Sequence, residues 1–507
     1  MSADKTMRDI QLSRKVPQKL TLMYFRRRYV VLLLVFIAGT HTAIAQCQGM
    51  VDSVTIAASC TARSNVPISH TEIDPHKAYR LEELIDIAET NNPQTRISWE
   101  TAKQAADRLG IARSDYYPRL AAIALFGDQR LINPFPEPLA PRGYVMVEAP
   151  AVEAGLSLEY NVFDFGRRSA KIEASKAIRL AAVAAFQRTN QDVAFRVVTA
   201  YYNLLTAQER LEASRQNLKT TQTTQAASEA QLANGRATLP DVLTARAAAA
   251  QAAYDLEASI GAEGVGRVVL REVVGVEPSD AITIESPATS PMSTEVIAST
   301  EKLVEMAMQL RPDLKALFEK LQAANAEFKE AQADYRPAFH LQASATQEKV
   351  WPSADYGTLG SADQTVWSVG MKFQWSLFDG ELRKNEARLA DSKRREAQDE
   401  LREKRDAIGR EVWTAYLQFR TAVRQQEAAE TLFTSANTSY DASLDAYRYG
   451  VKNLVDVVTA ETQLAQARLA VVQSRSAVRV NASNLDYVTG NLLQKLPPVA
   501  GPVAVNP

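Results

Sequence analysis

The sequence predicts an α+β membrane protein in which one structural unit occurs twice. Its strands are completed into a barrel by other chains, and its helices are long enough to form coiled coils. Three observations carry this reading. Landmarks recur along the chain at a nearly constant offset. From Arg167 to Asn234 there are 68 residues without Gly or Pro. Several shorter segments alternate strictly between apolar and polar side chains.

The chain opens on an export pattern. Arg26, Arg27 and Arg28 stand before the apolar run Tyr29 to Ala38, and the small-residue site Ala43-Ile44-Ala45 comes next. That is the layout of a signal peptide over residues 1–45, because the run is too short to span a bilayer. An uncleaved N-terminal anchor is the other reading, and Met23 is an alternative start to Met1. Removal of 1–45 leaves 50 basic and 57 acidic residues, a net charge of −7. Residues 46–77 form an N-terminal periplasmic extension holding Cys47 and Cys60. In an oxidising compartment the two suit a disulfide; acylation of Cys47 is the alternative, with Gln46 where a small residue is needed.

A duplication organises the rest of the chain. Leu84, Ala88 and Pro93 recur as Leu303, Ala307 and Pro312, and Asp115-Tyr116 as Asp334-Tyr335, each 219 residues on. Beyond Pro118 the offset is 215: Phe163-Asp164 and Phe378-Asp379, Ala200-Tyr201 and Ala415-Tyr416, Gly235 and Gly450, Asp241 and Asp456, Gly275 and Gly490. One loop between Pro118 and Phe163 absorbs the difference. The first repeat therefore covers 78–275 and the second 297–490. Residues 276–296 are the linker and 491–507 a flexible C-terminal tail.

Each repeat has the same internal order. Residues 78–117 read as helix, stopped by Pro118. Two alternating segments around a loop come next, then the long breaker-free helix, a Gly-marked turn and another helix. At about 1.5 Å per residue the 68-residue stretch is a rod of roughly 100 Å, which only side-by-side helices can cover. Only Gly409 interrupts the equivalent stretch from Glu381 to Tyr449.

Val152, Ala154, Leu156, Leu158, Tyr160 and Val162 alternate with mostly polar residues, as do Trp367, Val369, Met371, Phe373, Trp375 and Leu377. Segments 119–128 and 338–349 repeat the pattern more weakly. These are strands with one apolar and one polar face. A soluble sheet on a core would show the same pattern, but export and the long helices favour a membrane barrel with a watery lumen. Trp351, Trp367, Trp375, Phe163 and Phe378 would supply its interfacial aromatics. Four strands cannot close such a barrel, and open edges in lipid leave backbone groups unpaired. Three protomers would give twelve strands.

Composition excludes several classes. With 58 basic and 59 acidic side chains the chain is not built to coat nucleic acid, and 46% apolar content is that of a folded protein. Four His and two Cys leave little for a metal centre. There is no P-loop, HExxH or GxSxG, and the glycines of Gly261-Ala-Glu-Gly264-Val-Gly266 are in the wrong order for a dinucleotide loop. Neither cofactor nor catalytic residue is expected.

From about Leu81 to Gly490 the chain resembles the TolC-like outer-membrane efflux protein family. The resemblance rests on the twofold repeat, Phe378-Asp379-Gly380 entering the long helix, and Gly450-Val-Lys-Asn-Leu-Val-Asp456-Val-Val-Thr-Ala460 at the helical turn. The first copy has Phe163-Asp164-Phe165-Gly166 and Gly235 to Ala245 in the same places. It implies a homotrimer with a 12-stranded outer-membrane barrel, four strands per protomer, continuous with a long periplasmic coiled-coil barrel. It also implies a passive exit duct in outer-membrane lipid that docks to a periplasmic adaptor and an inner-membrane transporter, either an efflux pump or an ABC exporter.

By the same resemblance, Asp241, Tyr447 and Lys452 fall at the polar links that close the periplasmic gate, and Asp456 at an acidic ring narrowing it. Gly235 and Gly450 mark the helical turns. Lys452 stands where arginine is usual, which removes bidentate geometry, and Thr459 where a second ring acid can occur. Capping of the following helix is the simpler role for Asp241 and Asp456, and coiled-coil packing for Tyr447. A periplasmic coiled-coil adaptor is the alternative function, but it would carry one helical hairpin, whereas this chain has the whole unit twice. A secreted enzyme lacks a catalytic constellation.

Overall fold

The computed structural model describes residues 73–74, 76–134, 140–277, 282–285, 299–354 and 357–495. The chain divides into two units, Met1–Ser69 and His70–Pro507. The expected signal, both cysteines and most of the linker and tail lie outside the described residues. The rest belongs to the second unit.

Each repeat opens on two helices rather than the single one expected over 78–117. In the first, β1 (Ala78–Tyr79) leads to α1 (Leu81–Asn91) and α2 (Pro93–Ser114). The break comes at Asn92, whose extended backbone (ψ 125°) leads into Pro93, and whose side chain caps the new helix by accepting from Gln94 N at 2.9 Å. Proline suits the first turn of a helix and disfavours α backbone in the residue before it. The strands β2 (Arg119–Pro134) and β3 (Tyr144–Phe163) are next, then α3 (Arg167–Ala233) and α4 (Leu239–Val274).

After β4 (Thr283–Ile284) the second repeat runs α5 (Thr300–Leu310), α6 (Pro312–Ala333), β5 (Ala338–Val350), two short strands β6 (Ser353–Ala354) and β7 (Gly357–Thr358), β8 (Ala362–Gln374), α7 (Leu382–Arg448) and α8 (Leu454–Val488). The short α9 (Leu492–Lys495) carries the chain past Gly490, and Leu492 is buried in the first repeat's core, so the expected tail begins as packed structure. β4 pairs in parallel with β1, tying the linker to the start of the first repeat.

The long strands form one antiparallel sheet in the order β2-β3-β5-β8, with β6 and β7 extending beside the far end of β3. Three outrun the expected segments: β2 reaches Pro134, β3 begins at Tyr144 and β8 at Ala362. β8 also ends early, at Gln374. Trp375 leaves the ladder and donates its indole N–H to Tyr335 O at 3.1 Å. No helix among the described residues is long and apolar enough to cross a membrane.

The long helices are 67 residues each, within a residue of the length expected from the breaker-free span. Their buried positions explain their length. Ala170, Ala174, Ala177, Ala181 and Ala184 step by four and three along α3, as do Ile408, Val412 and Ala415 on α7. A period of about 3.5 residues is a coiled-coil seam, and alanine lets the axes approach closely. α3 packs along α4 and α7 along α8, while α3 also contacts α6 and α8. The equivalent core positions Leu84 and Leu303, Val197 and Val412, and Leu270 and Leu485 are all buried.

The hinge between the paired short helices is held the same way twice. Asn92 Nδ2 donates to Val273 O at 2.9 Å, and Arg311 Nη1 to Val488 O at 3.3 Å. The second copy adds charge. The Arg311 side chain is 1% exposed and bonds Asp313 at 2.6 Å and Glu411, while Lys404 lies 3.0 Å from Asp313. Burial alone would raise the Asp313 pKa, but Arg311 and then Lys404 hold it well below the usual carboxylate range. Gly490 closes this hinge at φ 78°, with any Cβ placed 3.1 Å from Leu310 C.

This packing makes two glycines respond oppositely to substitution. Gly490→Ala, strained in backbone and crowded, should cost about 1–3 kcal/mol. Gly409→Ala, inside α7 with open space around it, should stabilise by about 0.5–1 kcal/mol. Thermal unfolding of the two variants should therefore shift in opposite directions. A depressed Asp313 adds stability that is complete above the unfolded carboxylate value of about 4 and disappears as pH falls through its lower folded value. Asp313→Asn should accordingly be least stable relative to the parent at neutral pH, and urea titrations should show the gap narrowing towards strong acid.

Candidate functional site

The sheet register sorts its side chains into two walls. On one face Leu120, Leu158, Ala343 and Val369 lie in one row across the strands, and Ala122, Leu156, Ala345 and Trp367 in the next. Trp367 is 72% exposed, so this apolar face is not covered by the protomer's own core. On the opposite face Arg119, Glu159, Gln342 and Gly370 share a row, as do Asn161, His340 and Lys372. Ser344 and Ser368 hydrogen-bond across that face at 2.8 Å. Gly155 sits where a Cβ would lie 2.5 Å from Thr346 Oγ1, which keeps β3 and β5 close. Among the described residues β2 and β8 pair on one side only, so both edges of the sheet are open.

Strand becomes helix through a joint that the two copies build alike. The chain turns through two consecutive left-handed residues, Phe165 (φ 51°) and Gly166 (φ 94°) in one copy, Gly380 (φ 67°) and Glu381 (φ 68°) in the other. Each copy thus uses one glycine and strains one ordinary residue. Asp164 Oδ2 accepts from the backbone N–H of Arg168 at 3.2 Å and from its Nε at 2.8 Å. Arg168 Nη1 reaches Asp115 O at 3.1 Å, and its guanidinium lies 5.1 Å from the Tyr116 ring centroid. Asp379, Arg383, Asp334 and Tyr335 repeat the arrangement, with Arg383 Nη1 at 3.5 Å from Asp334 O and its guanidinium 5.4 Å from the Tyr335 ring. Arg167 then bridges the copies, 2.8 Å from Asp334. Sequence reasoning finds both aspartates but misses their arginines, although an Arg stands four residues beyond each.

At the other end of the long helices both turns are closed by left-handed glycines. Gly235 has φ 70° and Gly450 φ 76°. Arg236 N bonds Gln231 O at 2.8 Å and Val451 N bonds Ala446 O at 2.8 Å, the six-to-one link of a Schellman turn. Asp241 then caps α4: its Oδ2 accepts from Thr238 N at 2.9 Å and Thr238 Oγ1 at 2.7 Å. Those bonds, the hydroxyl's first, hold its pKa below the ordinary value. Asp456 is exposed in the first turn of α8, where Asn453 accepts from its N–H at 2.9 Å.

Tyr447 is 7% exposed, in a core with Ala245, Leu444, Leu454 and Val457. Its hydroxyl is buried with no hydrogen-bond partner among the described residues. Burial raises its pKa, and the nearby Asp241 charge adds to the shift. Lys452 Nζ contacts Ser443 Oγ at 3.2 Å. The protomer therefore brings Tyr447 near Asp241 but joins neither Asp241 nor Tyr447 to Lys452. Sequence reasoning also misses Glu461, buried one helical turn beyond the acidic position; its signal is an acid in the heptad core.

A sequence profile of the outer membrane efflux protein family matches residues 84–259 and 303–491, the two repeats. Protein CyaE of Bordetella pertussis is 27% identical over 82% of this chain and 86% of its own length. Outer membrane protein TolC of Escherichia coli is 24% identical over 85% and 87%. The crystal structure of a membrane protein from Pseudomonas aeruginosa superposes with a TM-score of 0.70 at 25% identity, covering 81% of this chain and 93% of that one. The duplicated unit, the two-faced sheet and the paired long helices match that family throughout. The fold is the trimeric outer-membrane barrel with a periplasmic helical extension, and the chain belongs to the outer membrane efflux protein family.

Proposed function

We propose that three copies of this chain form a passive exit duct, docked at its periplasmic end to an adaptor and an inner-membrane transporter. The duct serves an efflux pump or a type I secretion system, and the transporter supplies the energy. The observation that carries this reading is the continuity of the two-faced sheet with the paired helices. A polar wall 13 to 20 residues long per strand leads through the joints at Asp164 and Asp379 into helices of 67 residues. Such a wall can pass hydrated cargo through a bilayer and on across the space beneath it.

The helical tips are read as its gate. Asp241 commits one carboxylate oxygen to its own helix cap, which limits what it offers a neighbour. Among the described residues the Lys452 ammonium is held by a neutral serine alone, which leaves it available to an adjacent hairpin, whereas the Tyr447 hydroxyl is buried in its own protomer. Asp456, exposed in the first turn of α8, suits a ring of three carboxylates.

This assignment has a direct electrical test. A partly exposed polar link is worth only about 0–1 kcal/mol, but three copies act on one aperture. Lys452→Ala should raise single-channel conductance in planar bilayers. Asp241→Ala should do the same while also losing about 1 kcal/mol of helix cap. Asp456→Ala should instead lower cation selectivity and weaken block by multivalent cations, with little change in open width. Unchanged conductance in Lys452→Ala together with unchanged selectivity in Asp456→Ala would refute the gate assignment and leave the duct standing.

A further inference from the structure

Glu461 is an ionisable side chain in a place that ordinarily takes an apolar one. Val457, Glu461 and Leu464 step by four and three along α8, so Glu461 occupies a core position of the coiled coil. It is 4% exposed, whereas a glutamate is almost never buried without a charged partner. The equivalent position in the first repeat, 215 residues earlier, is Arg246, whose side chain is 57% exposed and bonds Glu229 across its own hairpin at 3.0 Å. The two copies thus differ sharply here. The first carries a solvated ion pair, and the second a buried acid where α8 meets both α3 and α7.

The partners of that acid are hydroxyls. Thr224 Oγ1, from α3, donates to Glu461 Oε2 at 2.7 Å. Tyr440 OH, from α7, lies 3.3 Å from the same Thr224 oxygen. Thr224 Oγ1 also lies 3.3 Å from Thr220 O, so its one proton has two acceptors, of which the Glu461 oxygen is the nearer. The hydroxyl contact reaches one carboxyl oxygen, Oε2.

Among the described residues no cation neutralises the group, and Glu461 takes part in no salt bridge. On its own helix, Arg468 bonds Thr220 at 3.4 Å, and its charge is felt by Tyr440 and Asp441. From α7 the titratable neighbours are Tyr440 and the exposed Asp441. α3 carries Lys219 and Glu229 on either side of Thr224, and Glu229 is paired with Arg246 of α4; Asp255, further along α4, accepts from Gln251 at 2.9 Å. Burial raises the Glu461 pKa, and only the Thr224 bond opposes it.

We propose that the Glu461 carboxyl is a proton-controlled latch that fastens the α7–α8 hairpin to α3 while neutral and releases it on ionisation. An anion cannot stay in that core without a counter-charge, and separation of α8 from α3 brings it to water. The sign is fixed by the direction of the shift. The packed arrangement binds the proton more tightly, so its advantage is complete below the ordinary glutamate value and is lost as pH rises through the folded one. The second hairpin loosens with rising pH. Its electrical readout rests on the duct reading; its spectroscopic readout does not.

The test uses the full-length protein. In planar bilayers stepped from about pH 5 to about pH 9, the open-to-closed ratio should rise by up to about tenfold per pH unit between the ordinary glutamate value and the carboxyl's folded value, and level off above it. Glu461→Gln, neutral and of the same shape, should stay latched and lose that rise, while Asp441→Asn, at an exposed acid of α7, should keep it. Absence of any channel would contradict the duct; a channel whose pH response survives Glu461→Gln unchanged would overturn the latch. Infrared difference spectra decide independently of conductance. Detergent-solubilised parent protein, with its glutamates isotopically labelled, should show above the ordinary glutamate value a protonated carboxylic-acid band that Glu461→Gln lacks, since burial also raises Glu89 and Glu330. A band that survives Glu461→Gln unchanged would also overturn the proposal.

Discussion

A backbone N–H or C=O placed in hydrocarbon must find a partner within the protein, because no water is there to supply one. The four long strands meet that demand internally and fail it at their margins. β3 and β5 are paired on both sides along most of their length, while β2 and β8 each present an unpaired edge. An apolar face with Trp367, Val369 and Leu120 largely exposed belongs in lipid, so the edges go there with it. Closure by further copies is the one arrangement that satisfies both edges at once. The symmetry of the assembly, the enclosed lumen and the placing of the helices below the barrel depend on it.

Once the sheet is closed, each chain must leave it as helix without breaking the ring. The joint answers this with rigid local chemistry. Asp164 and Asp379 each hold the guanidinium and backbone of an arginine four residues on, and those arginines reach back to the helix that precedes the strands. Strand, turn and two helices are thereby locked at one point in each repeat. The copies diverge away from that point. The second hinge gains the buried Arg311 cluster, and the second tip gains a buried glutamate. The duplicated framework is shared, and the differences fall where the hairpins meet one another.

Most of this framework is legible in the sequence because its signals are long. A heptad of alanines, a 68-residue span without breakers and constant repeat offsets accumulate over many residues. Short-range signals mislead where a neighbour overrides them. Asn92-Pro93 splits a stretch whose periodicity reads as one helix, since the hinge is fixed by contact with the end of α4. The far ends of β2 and β3 lack clean alternation, and their pairing with each other carries them on as strand. The tip residues are located by motif, but the bonds of Asp241 to Thr238 and of Lys452 to Ser443 depend on side-chain choices that spacing does not encode. Glu461 is legible as an acid in a heptad position, yet it is easily lost among the many charges of the helices.

Closure of the sheet by identical copies is the central claim, and its most direct measurement is the native mass of the protein extracted from outer membranes in mild detergent. Three chains of mature length in the outer-membrane fraction is the predicted result. A monomer recovered soluble from the periplasm would contradict it, since a lone sheet with two open edges could not be the membrane barrel described.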